Sequence, residues 1–241
     1  MSIARFHCPT ALAAGTKIAL PADTFHHAVR VRRLRVDDSL VLFAGDGSEA
    51  TAKLVAIRRD GADVAIENLV AVDRESPLEV TLLQGISSGD RMDYTLQKAV
   101  ELGVLGIAPV AMQRSVPMSG ERADKRAAHW RQVVISACEQ CGRARIPEVL
   151  PVAGLAEALR NSHVGCAVLL SASGTARLSG LARPSGPVAV LAGPEGGLTA
   201  DEERAAIEAG FTAISLGPRV LRTETAAVAA LAIMQSLWGD G

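Results

Sequence analysis

The sequence predicts an α/β protein with a largely parallel sheet, preceded by a small β-barrel that carries one helix. Three observations predict it. Residues 39–70 alternate short β-favouring runs with glycine and aspartate turn signals. Beyond residue 77 the pattern changes to apolar strands separated by helical periods, the signature of an α/β layer. The chain has 241 residues, 49% of them apolar, enough to bury a core in one small and one larger domain.

The elements follow in order. Asp23 is placed to cap a short helix through His26, His27, Val29 and Val31, ending in the basic residues Arg30, Arg32, Arg33 and Arg35. Runs at 40–44, 51–58 and 63–69 are separated by Gly45-Asp46-Gly47 and Asp60-Gly61, which predicts an antiparallel meander. Asp73-Arg74-Glu75-Ser76-Pro77 breaks the pattern, so the domain boundary is placed near residue 73, dividing the chain into 1–72 and 73–241. Residues 80–86 read as a strand. Met92, Leu96, Ala99 and Val100 form a helical stripe ended by Gly103, and 105–110 read as the next strand. Trp130, Val133, Val134, Ala137, Cys138 and Cys141 share one face of a second helix that Gly142 terminates. Strands follow at 167–170 and 188–192. Thr199-Ala200-Asp201-Glu202 is a capping box opening a helix towards Gly210, 213–216 is the last strand, and a helix at 223–238 closes the chain.

Composition narrows the function. A formal net charge of −1 argues against coating nucleic acid through bulk charge, so any RNA contact uses local patches. Aromatics make up 3%, too few for a surface of stacked bases. Cysteines at 8, 138, 141 and 166 are too unevenly spaced for a disulfide framework. Cys138 and Cys141 continue an apolar stripe and lack a second ligand pair, so no metal is expected, and His26-His27 reads as structural or RNA-facing. No run of eighteen apolar residues and no signal-peptide layout occurs, which predicts a cytoplasmic protein without a membrane.

Two loops stand out. Gly193-Pro194-Glu195-Gly196-Gly197 joins an apolar strand to a capped helix, at the strand end where open α/β sheets bind ligands. Its glycines fit neither the dinucleotide fingerprint nor a P-loop, and a plain strand-to-helix turn explains the spacing equally well. Residues 216–225, Leu-Gly-Pro-Arg-Val-Leu-Arg-Thr-Glu-Thr, also join a strand to a helix. Thr223 as N-cap and Glu224 at the positive helix end have structural reasons, whereas Arg219 and Arg222 do not. Arg143 and Arg145 follow a helix end, where they suit either its carbonyls or a phosphate.

In sequence order these segments resemble the RsmE family. The resemblance is carried by Arg91-Met92-Asp93-Tyr94, Gln97 to Val104, Gln113-Arg114-Ser115-Val116, Trp130 with Glu139-Gln140-Cys141-Gly142-Arg143, Pro147-Glu148-Val149, and the two loops at 193 and 216. It also takes in Arg5-Phe6 and His26-His27 with Val31-Arg32-Arg33, departing only at Arg32 and Cys141. The resemblance implies a PUA-like RNA-binding β-barrel followed by a SPOUT methyltransferase domain, an alpha/beta knot threaded as a trefoil. It further implies a homodimer that uses S-adenosylmethionine to methylate N3 of one uridine, uridine 1498 in the family's numbering, in 16S ribosomal RNA of the small subunit.

By the same resemblance, Leu170, Gly193, Pro194, Glu195, Gly196, Leu216, Gly217, Leu221 and Thr225 bind the cofactor. Uracil N3 must lose its proton to become nucleophilic, so a base and an anion-stabilising group are expected. Glu224 is the expected base, Arg222 or Arg143 the stabiliser, and Arg5, Arg30, Arg33, Arg114 and Arg145 the grip on RNA. Methylation at another RNA position, such as a ribose hydroxyl, and a noncatalytic ribosome-assembly role remain the alternatives.

Overall fold

A computed structural model describes residues 3–118, 120–162 and 165–241. The chain forms two compact units, Met1–Glu75 with Cys138–Ile146, and Ser76–Ala137 with Pro147–Gly241. The division therefore is not one cut near residue 73. Residues 138–146 join the first unit because Glu139 accepts a hydrogen bond from His7 N at 2.9 Å and Gly47 N donates to Ala144 O at 3.1 Å.

The first unit holds one five-stranded sheet, β1 (Ala4–His7), β2 (Lys17–Ala19), β3 (Ser39–Phe43), β4 (Ser48–Ile57) and β5 (Ala62–Ala71), in the order β1-β3-β4-β5-β2. The expected meander is β3, β4 and β5, all antiparallel, and β1 adds itself parallel to β3. Period-two alternation buries Leu40, Leu42, Ala52, Leu54, Val64 and Ile66 on one face with Phe6 and Phe25. Helix α1 is only Ala22–Phe25 and continues as a wider π turn over His26–Val31. Asp23 does not cap it: Pro21 occupies the cap position, and Asp23 sits in the first turn, where its charge suits the helix dipole.

The second unit is a parallel sheet. Strands β6 (Val80–Gly85), β7 (Gly106–Ala111), β8 (Glu148–Val149), β9 (Ala153–Gly154), β10 (Cys166–Leu170), β11 (Val188–Ala192) and β12 (Thr212–Ile214) run in the order β12-β10-β11-β6-β7-β8, with β9 also on β7. Strand β11 lies between β10 and β6 and is buried along its whole length, which is why it reads as a continuous apolar run. Helices α2 (Gly89–Glu101) and α6 (Thr223–Trp238) pack against each other, while α4 (Leu155–Asn161) and α5 (Ala200–Glu208) share a core with Leu83, Val110, Leu169, Leu191 and Phe211.

Helix α3 (Glu121–Cys141) buries Trp130 and Val134, and its last turn passes into the first unit. Gly103 and Gly142 follow α2 and α3 with φ of 78° and 93°, the left-handed stop expected of them. The capping box also forms: Thr199 accepts from Glu202 N, and the Glu202 carboxylate accepts from Thr199 N at 2.8 Å.

Candidate active site

Three neighbouring strands, β12, β10 and β11, send their carboxyl-end loops to one cavity of about 350 Å³, within the range of small-molecule sites. Leu170 ends β10, Ser171 and Ala172 come from the loop after it, residues 193–198 from the loop after β11, and Ser215, Leu216, Gly217, Arg219, Val220 and Leu221 from the loop after β12. Thr223 and Ala226 of α6, Glu203 of α5 and Arg114 also line it. This is where a doubly wound sheet places a ligand.

The loop after β11 is fixed by residues far away in sequence. Thr223 was expected to cap α6, but Arg222 takes the cap position and Thr223 becomes the first helical residue. The Thr223 hydroxyl is thereby released to donate to Gly193 O at 2.5 Å. The fully buried Gln84 donates through Nε2 to Thr223 Oγ1 at 3.0 Å, and its Oε1 has no partner among the described residues.

Next to it, Gly85 meets the loop so closely that a Cβ would lie 2.4 Å from Pro194 N and 2.6 Å from Pro194 Cδ. Gly85→Ala must therefore push the loop away. The expected loss is about 1–3 kcal/mol of stability by chemical denaturation, together with loss of ligand binding in the cavity.

Glu195 lines the cavity, but its Oε1 accepts from Ser88 N at 3.0 Å, from Ser88 Oγ at 2.5 Å and from Arg91 Nη1 at 3.0 Å. The Ser88 hydroxyl and backbone amide, with the Arg91 guanidinium, outweigh burial and hold this carboxyl below its usual value of 4.5. The stabilisation is fully present above pH 4.5 and fades as the pH falls through the lowered value. Wild type is expected to melt above Glu195→Gln at neutral pH, with the gap closing in strong acid. Parallel melting curves at every pH would contradict this linkage.

Arg91 has a second carboxylate within reach, Glu224 Oε1 at 4.0 Å from its Nε. Glu224 stands in the first turn of α6, its side chain 14% exposed, and its Oε2 is buried with no partner among the described residues. A buried carboxylate oxygen left without a donor is costly. Glu224 and Thr225 themselves lie outside the cavity lining, and Arg222 and Thr225 are exposed beside it.

The remaining arginines are placed as follows. Arg114 was expected on RNA but lines the cavity and donates to Gly196 O at 2.8 Å, bracing the glycine loop. Arg143, expected to meet the reacting base, is 5% exposed in the first unit and bound to Glu75. Arg5, also expected on RNA, is held by Glu49 and donates to Arg143 O at 3.2 Å. Both guanidinium groups neutralise carboxylates inside that unit rather than facing solvent. Arg30, Arg33 and Arg145 are exposed on it, Arg30 lying 5.5 Å over the Phe25 ring. Sequence reasoning missed Arg91, Gln84, Ser171 and Glu203. Of these, only Arg91 sat inside a quoted motif.

Among the described residues no cluster of three His, Cys, Asp or Glu suits a metal ion, and no helix is long and apolar enough to cross a membrane. All four cysteines are free thiols, with Cys138 pushed up to about 12 by burial.

The RNA methyltransferase domain family matches residues 74–235, and the RNA methyltransferase PUA domain family matches residues 20–67. The chain is thus an RNA methyltransferase with a PUA-like domain. A ribosomal RNA small subunit methyltransferase E from Neisseria gonorrhoeae, solved bound to S-adenosylmethionine, is 45% identical, with TM-score 0.93 and 99% of both chains covered. A Legionella pneumophila protein solved with the same cofactor is 36% identical, with TM-score 0.97 over 100% of both chains. The Mycobacterium tuberculosis ribosomal RNA small subunit methyltransferase E is 34% identical over 97% of this chain and 92% of that protein. The chain belongs to the ribosomal RNA small subunit methyltransferase E family.

Proposed function

We propose that this protein transfers the methyl group of S-adenosylmethionine to N3 of one uridine, uridine 1498 in the family's numbering, in 16S ribosomal RNA of the small subunit. The observation that carries the reading is the cavity formed by three adjacent strand-end loops, glycine-rich and without a phosphate cradle. That lining fits a nucleoside joined to an amino acid: close backbone approach for the flat base, and both signs of charge at the wall from Arg114, Glu195, Glu203 and Arg219. The cofactor holders are Leu170, Gly193, Pro194, Glu195, Gly196, Leu216, Gly217 and Leu221, with Thr225 acting from outside the wall.

When bound, the cofactor supplies an electrophilic methyl group. The protein's own part is to expose the base, hold N3 in line and remove its proton. Glu224 accepts that proton through its open Oε2, and the neighbouring exposed Arg222 offsets charge spreading onto the uracil oxygens. Arg143 leaves this role, and Arg5 its expected grip on RNA, since their guanidinium groups are engaged within the first unit.

The first unit is read as a PUA-like barrel whose Arg30, Arg33 and Arg145 contact RNA phosphates. The second is read as a trefoil knot, a reading that rests on the family to which the chain belongs. A homodimer is supported by Val220, Ile233 and Leu237, apolar side chains left exposed on α6 and the loop before it. The working place is the cytoplasm, where the ribosome is assembled.

Incubation with labelled S-adenosylmethionine and small-subunit particles from a strain lacking the protein tests the class of reaction. Label is expected in 16S RNA. Cofactor binding without any transfer would favour a noncatalytic assembly factor.

A further inference from the structure

We propose that Glu203 anchors the ammonium group of the cofactor's methionine end, which makes it a specificity residue for the amino-acid part of S-adenosylmethionine. The inference rests on the cofactor reading above. It begins from the charges that line the cavity. Arg114 is engaged by the Gly196 carbonyl, and Glu195 is turned onto Ser88 and Arg91. Glu203 is different.

Glu203 sits in the first turn of α5, where the Thr199–Glu202 capping box already satisfies the helix start. Its side chain turns to the loop after β10 instead, where Oε1 accepts from Ser171 Oγ at 2.9 Å and Oε2 from Ser173 Oγ at 3.4 Å. Ser171 is 7% exposed and itself lines the cavity, and Glu203 is half-buried beside it, so the carboxylate is fixed on the cavity wall by its serine partners. The two hydroxyls are neutral, and no cation pairs with Glu203 among the described residues. Each carboxylate oxygen has a second acceptor direction beyond its serine.

A fixed negative charge with spare acceptor capacity calls for a cation with several donors, and a primary ammonium has three. Arg219 lines the same cavity, makes no ion pair among the described residues, and carries the sign of charge that suits the α-carboxylate of the same amino acid. One acid and one base on a single wall match a zwitterion. A ribose diol could donate both hydroxyls to Glu203 but would leave Arg219 without an anion.

Binding of three ligands to the full chain, measured by titration calorimetry, tests the assignment. S-adenosylmethionine and S-adenosylhomocysteine both carry the ammonium; methylthioadenosine keeps the adenine and ribose but lacks the amino acid. Glu203→Gln is expected to raise Kd for the first two by about tenfold or more and to leave methylthioadenosine unchanged. Glu203→Asp keeps the charge and the acidic first turn, so it guards against loss of folding. It is expected to show a smaller rise with the same ligand pattern. Equal weakening of all three ligands would assign Glu203 to the ribose and overturn the proposal, as would no change in any. If the wild-type chain bound none of them, the cofactor reading itself would fall, a result separate from any behaviour of the variants.

Discussion

Replacing Glu224 with glutamine is expected to lower kcat for methyl transfer by about 10²–10⁴-fold, the range for removal of a positioned general base. Glutamine keeps the shape of the side chain, but it cannot carry away the N3 proton. Because Glu224 lies outside the cavity lining, cofactor affinity is expected to stay at the wild-type level. The loss therefore falls on kcat, which single-turnover kinetics with saturating cofactor reads directly. Full activity of the variant across the pH range would remove Glu224 from the role of base.

Arg91→Ala is the second large effect. One guanidinium spans Glu195 on the glycine loop and Glu224 on α6, at 3.0 and 4.0 Å. Its removal leaves two carboxylates side by side without their shared cation and frees the Glu224 side chain to move. A displacement of about 1 Å at a reacting group costs on the order of 10²-fold in rate, and that is the expected drop in kcat/KM. The effect on stability is expected to be small, since Arg91 is 43% exposed and solvent screens such pairs. Arg91→Lys, which restores the charge without the fork, is expected to recover only part of the rate. Wild-type kcat/KM in Arg91→Ala would show that the bridge has no part in catalysis.

The parts of this molecule that were legible in its sequence are those decided within a few residues. Thr199 and Glu202 meet across one turn, so their capping box could be read directly, and the unbroken apolar run of β11 announced a strand buried on both faces. The positive φ of Gly103 and Gly142 had the same local character.

What could not be read depends on partners far along the chain. The Thr223 hydroxyl looked like a cap because its true acceptor, Gly193 O, lies 30 residues away, and Gln84 joins them from 139 residues before Thr223. Arg143 looked exposed after a helix end, yet Glu75 reaches it across a separation of 68 residues. Strand β1 was missed because four residues with one buried side chain give no periodicity until β3 lies beside them. The glycine loop was visible as a candidate, while the side chains that aim it, Gln84, Arg91 and Thr223, were not.

The most direct test of the central claim is the identity of the methylated nucleoside. Small-subunit RNA treated with this protein and S-adenosylmethionine would be digested to nucleosides and analysed by mass spectrometry, with the modified position mapped by primer extension. The account predicts 3-methyluridine at a single site in 16S RNA, formed far more slowly when Glu224→Gln replaces the wild type. A 2′-O-methylated nucleoside, or methylation at several unrelated uridines, would contradict it.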